Sequence, residues 1–553
     1  MKQIELVNKI RFNWKSGITV AFVSIPLSIA LAIASGATPT QGIITAFWAG
    51  LLGSILGGSN FNIIGPTGAL SGILMTYSIV NGYAVLPVIA IISGLLILLV
   101  WFLKLDRYII FIPKVVIHGF TLGVAFIIAL GQLDNMLGLD NIPKTDKLTT
   151  NVWTSLQHYS EINWWIFLIF ILASVFIFFW NKKFPKLPGA IVVALIGMGS
   201  AFVVNNLLKI DFGLITLADK YPDVTASLYY NIWGDLTLQT FLNKELWVIS
   251  AATALIAILE TLISGQIADN MTNTKFVRSK EVFALAFANL GSGLMGGIPA
   301  TAALARTALN INSGAKHKTS GIISAVSILL ISLLIFQYFK LLPMVAIAAI
   351  LVIVSINMVE KKHFITLMDN EKVSFFLSMF VAGITIIYDP IVGILTGSFF
   401  ALMIFVNRIS KGQTEIQLWK DWKVKKVLLK DDYVKDTDVD CDFVVLKISG
   451  ILTYINMPAY LETAQLIKGN KFVIISLKSA FYADSDGVSY LDEIITELKS
   501  NNQDIYLTGV NKEIEKMLKG ETFYQSKITD GRIFDSISQA IEELKKEELG
   551  LGM

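Results

Sequence analysis

The chain has one cysteine, Cys441, in 553 residues, which rules out an intrachain disulfide and a cysteine-based metal site. Charge is scarce as well. Only 16% of the residues are Asp, Glu, Lys or Arg against 54% hydrophobic, and the mean hydropathy is +0.64, far from a soluble globular norm. The four histidines (His118, His158, His317 and His363) are scattered at expected loops or segment ends without metal-ligand spacing. No enzyme constellation is visible and no cofactor is called for. The net charge of +3 singles out no partner class, and no nucleic-acid partner is expected.

What is present is a succession of apolar runs. Windows such as residues 84–103 and 163–180 carry no charge and are long enough to cross a hydrocarbon core of roughly 30 Å. A polytopic α-helical membrane protein follows, with about fourteen apolar segments between residues 16 and 407. The third spans about 61–78, the eighth 247–267 and the tenth 300–312. The polar, basic first residues lack a small-residue cleavage site, so no removable signal peptide is expected. From Ser410 the composition turns polar. Residues 410–439 read as a linker, and 440–553 alternate apolar strands with amphipathic helices in an α/β domain.

Lysines and arginines set the expected orientation. With the N-terminus inside, the connections after even-numbered segments carry Lys104, Arg107 and Lys114, then Lys182, Lys183 and Lys186. Later ones carry Lys275, Arg278 and Lys280, then Lys316 and Lys318, then Lys361 and Lys362. Both termini are therefore expected in the cytoplasm of a cell-membrane protein.

Two segments break the apolar pattern. GPTGALSG at 65–72 and GIPATAALART at 297–307 each pass from a glycine-rich or polar lead through a proline and small residues into an apolar helix. Pro66 and Pro299 lie 233 residues apart, and Pro113 and Pro343, in FIPKVVIHG and LLPMVAIAA, lie 230 apart. Two anchors at nearly one spacing predict a repeat of seven segments, roughly 14–206 and 245–409 within a membrane domain of 1–409. Because seven is odd, the second copy is inverted. Non-helical backbone at membrane depth is tolerated only where protein or a water-filled cavity satisfies it. If both helices start near the midplane from opposite sides, their N-termini face each other and offer free N–H groups and partial positive charge to an anion. Close helix packing by small residues is the simpler account of either segment alone.

Two intramembrane charges sharpen this expectation. Arg306, seven residues after Pro299, reads as two turns into its helix, reaching back to the anion or out to the interface. Glu260 stands among apolar neighbours of the eighth segment with Ser264 at i+4, and reads as a proton or cation relay or as the salt-bridge partner of Arg306. In the tail, Ala483-Asp484-Ser485-Asp486-Gly487 opens a helix after a strand. A helix cap is the plain reading there, and phosphate on Ser485 the functional one.

With GPTGALS in its third segment, IPKVVIHGF in its fifth, ALART in its tenth and the ADSDG turn in its tail, the chain resembles the sulfate permease (SulP) anion transporters over nearly its whole length. The resemblance implies fourteen spans in two inverted repeats, a core domain moving against a gate domain, a homodimer and a C-terminal STAS domain. It implies an anion pocket at the backbone of Thr67, Gly68 and Ala69 and of Ala303, Leu304 and Ala305, beside Arg306. Glu260 and Ser264 match coupling-ion positions. Sodium-driven bicarbonate transporters of the family place an oxygen where Leu304 stands, which favours H+ over Na+. Sulfate or bicarbonate is the expected substrate of a proton-coupled symporter, with a dicarboxylate transporter or an anion exchanger as family alternatives. From other classes, a nucleobase transporter would favour carboxylates on a ring and lack the tail, and a membrane-anchored regulatory module would need neither Glu260 nor Arg306.

Overall fold

A computed structural model of the chain describes residues 2–105, 107, 113–140, 142–145, 147–184, 188–208, 212–222, 225, 227–231, 241–410, 413–429, 441–467 and 471–548. Ile112, Lys186, positions 411, 412 and 430–440 and the last five residues, 549–553, lie outside the described residues. Contacts divide the chain into one unit of residues 1–399 and another of 400–553.

Fourteen helices follow the fourteen expected segments. They are α1 (Lys2–Ala34), α2 (Pro39–Leu56), α3 (Gly68–Asn81), α4 (Leu86–Phe102), α5 (Lys114–Leu130), α6 (Trp164–Lys183) and α7 (Gly189–Phe202). The second set is α8 (Lys244–Thr272), α9 (Arg278–Leu294), α10 (Leu304–Asn312), α11 (Thr319–Phe339), α12 (Met344–Met358), α13 (Lys372–Ile387) and α14 (Pro390–Ser410). Among the described residues, seven helices are long and apolar enough to cross a membrane by length and composition, and four shorter apolar ones accompany them. α3 and α10 run for only 14 and 9 residues, because each starts partway through its segment.

The packing carries the repeat. Replacing each helix by the one seven places on turns the contact of α1 with α11 into that of α8 with α4. In the same way α2–α11 becomes α9–α4, α1–α10 becomes α8–α3, and α5–α13 becomes α12–α6, while α2–α9 maps onto itself. Pro113 and Pro343 cap α5 and α12 with nearly the same backbone, φ −67° and −68° with ψ 141° in both, as the fixed proline ring favours. One anchor is corrected. The starts of α3 and α10 are 236 residues apart, so Pro299 lies three residues ahead of the position that corresponds to Pro66.

Two helix groups emerge, α1–α4 with α8–α11 and α5–α7 with α12–α14. The seven-place symmetry fails where they meet. α3 packs on α5 and α1 on α12, whereas among the described residues the related pairs α10–α12 and α8–α5 make almost no contact. The groups are therefore closed together on the α3 side and apart on the α10 side.

In the second unit, a six-stranded sheet runs in the order β4-β3-β5-β6-β7-β8. The strands are β3 (Gln413–Lys420), β4 (Lys423–Leu429), β5 (Phe443–Leu452), β6 (Phe472–Ala483), β7 (Asp504–Thr508) and β8 (Ile533–Phe534). β5 to β8 are parallel neighbours, and β3 is antiparallel to β4 and β5. The sheet thus begins inside the stretch expected to be linker. Ile416 and Leu418 alternate with polar residues and are fully buried, a period-two pattern hidden under the many charges.

Candidate functional site

The two interrupted segments meet. β1 (Ile64–Gly65) and β2 (Thr301–Ala302) pair antiparallel, with Ile64 opposite Ala302 and Gly65 opposite Thr301. Each strand leads into a helix, so α3 and α10 leave the crossing in opposite directions with their N-termini beside it. Their N-caps, Thr67 and Ala303, make no side-chain capping bond. First-turn N–H groups are thus left without a capping side chain among the described residues, and each end carries about half a unit of positive charge.

Thr67 uses its hydroxyl elsewhere, donating to Oε2 of Glu260 on α8 at 3.0 Å. Arg306 is the third residue of α10 and not two turns in, because the helix begins at Leu304. It is 2% exposed, its Nη2 donates to the Pro66 carbonyl, and its Nε finds no partner among the described residues. Among the described residues no ion pair joins Glu260 to Arg306. The two charges act on adjacent residues of one turn, Thr67 and Pro66. A guanidinium out of water costs several kcal/mol unless matched by an anion or acid, and here a neighbouring acid and an unused N–H coexist.

Thr67, Gly68 and Ala69 are buried, Ala303 and Leu304 half-buried, and Ala305 exposed. The crossing is therefore reached from the α10 side, the side on which the two helix groups are apart. The Ser264 hydroxyl is taken up by other partners, 3.2 Å from Oδ1 of Asn62 and 3.0 Å from the Thr307 hydroxyl. Ser485 is the exposed first residue of the helix Ser485–Ser500, whose N-cap Asp484 accepts from Gly487 N at 2.7 Å.

Sequence reasoning missed several groups that hold the crossing. Asn289 on α9 both donates to and accepts from the backbone of Ala300, at 2.9 Å each way, and the Thr45 hydroxyl accepts from Ile298 N at 2.7 Å. Glu281, 1% exposed, is a further acid among the helices, more deeply buried than the half-buried Glu260 that had been expected. Its position was legible, since Glu281, Leu285, Ala288 and Ser292 share one buried helix face. The histidines are not all scattered either: the rings of His118 and His363 lie 3.8 Å apart.

A sequence model described as the Sulfate permease family matches residues 12–381, and one described as the STAS domain matches residues 434–540. YvdB of Bacillus subtilis (strain 168), a protein named for sulfate transport, is 31% identical over 515 residues, covering 91% of this chain and 92% of its own. The bicarbonate transporter BicA of Picosynechococcus sp. is 25% identical over 467 residues, 79% of this chain and 77% of its own. The solved structure of SLC26A9 superposes with a TM-score of 0.81 at 13% identity, covering 99% of this chain and 92% of that one. The transmembrane domain of a cyanobacterial BicA gives 0.59 at 23% identity, covering 70% and 97%.

Proposed function

The chain belongs to the sulfate permease family of anion transporters, and from that premise we propose that it moves sulfate or bicarbonate by proton-coupled symport through alternating access. One observation carries the reading: two helix N-termini without side-chain caps meet across an antiparallel crossing, beside a buried arginine with an unused N–H. Such a point stabilises an oxyanion through N–H donors and positive charge in a low dielectric. Thr67, Gly68 and Ala69 supply one half of the pocket, and Ala303, Leu304, Ala305 and Arg306 the other.

Glu260 is the coupling residue. Charged, it accepts from Thr67 in the wall of the pocket, and protonated it removes a negative charge from beside the anion. Access alternates when the helix groups close on the α10 side and part on the α3 side, which is the missing half of the seven-place symmetry. The protein acts as a homodimer in the cell membrane with both termini cytoplasmic, and the STAS domain with Ser485 lies on that side. A sodium-coupled reading keeps one supporting observation, since the Thr67 hydroxyl 3.0 Å from Glu260 is an oxygen that Leu304 does not supply.

Uptake of radiolabelled sulfate and bicarbonate into proteoliposomes, under imposed pH and sodium gradients, tests the reading. Acceleration by an inward proton gradient supports it. A response to sodium alone makes Glu260 a cation ligand, and no uptake of either anion removes the substrate assignment.

A further inference from the structure

Glu281 stands in the first turn of α9, and three donors converge on it. Oε2 accepts from the backbone N–H of Gly58 and of Ser59, each at 2.8 Å, and Oε1 accepts from Nδ2 of Asn62 at 2.8 Å. A carboxylate, with acceptors only, matches that set. All three donors lie in the non-helical lead between Leu56 and Ile64, whose backbone has no helix to satisfy it as it runs into the membrane. The lead is held closely: a Cβ on Gly58 would stand 2.2 Å from the Val277 carbonyl oxygen just before α9. At its start, the Lys318 ammonium donates to the carbonyls of Ile55 and Gly57.

The lead ends where the pocket begins. Asn62 accepts from Ser264, Ser264 meets Thr307, and Thr307 accepts from Ile63 N at 3.3 Å. A few residues on, Pro66 receives Arg306 and Thr67 reaches Glu260.

The other repeat gives the comparison. The 236-residue spacing of the helix starts also relates Thr45 on α2 to Glu281 on α9, and Asn62 to Ile298. Thr45 holds Ile298 in the lead of α10, just as Glu281 holds Asn62 in the lead of α3. One half of the pocket is thus hung from a neutral hydroxyl and the other from a charge.

We infer that Glu281 is a positioning residue of the transport site, an ionised carboxylate that fixes the α3 lead and with it Thr67 and the α3 N-terminus. The inference rests on reading the crossing as the anion site. Glu281→Gln keeps the shape but adds an NH2 group: if its oxygen serves Gly58 and Ser59, its nitrogen faces the NH2 of Asn62. Adding Asn62→Asp turns that collision into a donor meeting an acceptor.

The test uses the full chain in proteoliposomes, with radiolabelled sulfate and bicarbonate as probes and deuterium exchange of the amides of 58–67 as a second readout. Glu281→Gln raises KM about tenfold, the equivalent of one charged hydrogen bond, and speeds exchange in 58–67, and the double variant returns both toward wild type. An unchanged KM and exchange in Glu281→Gln, or a double variant no better than the single one, overturns the inference. If the single variant does not fold, a double variant that folds and transports supports it, and one that does not overturns it. Should the wild type move neither anion, the transport reading fails, while exchange in 58–67 still decides what Glu281 holds.

Discussion

Gly65→Ala puts a single methyl against the buried arginine. A Cβ at Gly65 would stand 2.6 Å from Nη1 of Arg306 and 3.3 Å from its Cζ and Nη2. Carbon and nitrogen relax at roughly 3.5 Å, so the guanidinium or the strand must shift by about 1 Å. Arg306 has no room to give, being 2% exposed and tied through Nη2 to the Pro66 carbonyl. A charge-assisted hydrogen bond lost from the pocket is worth about 1.5–3 kcal/mol, or roughly a tenfold to hundredfold rise in the KM of the anion. Uptake into proteoliposomes over a series of anion concentrations measures this, with size-exclusion profiles to show that the variant is folded. Gly199→Ala is the control, since a Cβ there meets nothing within 4 Å among the described residues. A Gly65→Ala variant with the wild-type KM would refute the placement of Arg306 in the pocket.

Glu260→Gln keeps the side-chain shape and removes the titration, so anion binding persists while uptake stops responding to an imposed pH gradient; retained acceleration by an inward proton gradient refutes the proton role. Ser485→Ala leaves basal transport intact, because Ser485 is an exposed helix-start residue of the tail; a folded but transport-dead variant would show that the tail acts on the pathway. Lys527, 2% exposed with Nζ on the Ile505 carbonyl at 2.9 Å, is pushed by burial from 10.5 down to about 8. Between those values the unfolded chain binds the extra proton, so the stability of the tail rises with pH across that window. Lys527→Met flattens the rise in its thermal midpoint, and an unchanged rise in the variant contradicts the assignment.

Most of the fourteen segments were legible because they are apolar runs long enough to read without tertiary information, and α3 and α10 because they interrupt that pattern. The repeat was legible at Pro113 and Pro343, where proline fixes both caps, and slipped by three residues at Pro66 and Pro299. There the second proline stands in an extended lead, and only the observed helix starts, Gly68 and Leu304, show which residues correspond. The helix end carrying Arg306 was misplaced for the same reason. Thr67 was expected as backbone, and its hydroxyl bond to Glu260 spans 193 residues of sequence, beyond the reach of any local pattern. Ser264 shares a helix face with Glu260, yet its hydroxyl is claimed by Asn62 and Thr307, which spacing along one helix cannot reveal. In the tail, the charges of residues 410–429 concealed the alternation of β3.

Uptake by the Ala303→Trp variant tests the central claim most directly. Ala303 is the half-buried N-cap of α10, and an indole there crowds the meeting of the two helix ends while leaving the residues Glu260 and Arg306 unchanged. In proteoliposomes the wild type accumulates radiolabelled sulfate or bicarbonate, and the folded Ala303→Trp protein accumulates neither and loses its thermal stabilisation by the anion. A folded Ala303→Trp protein that transports at the wild-type rate would place the anion somewhere other than the crossing of α3 and α10.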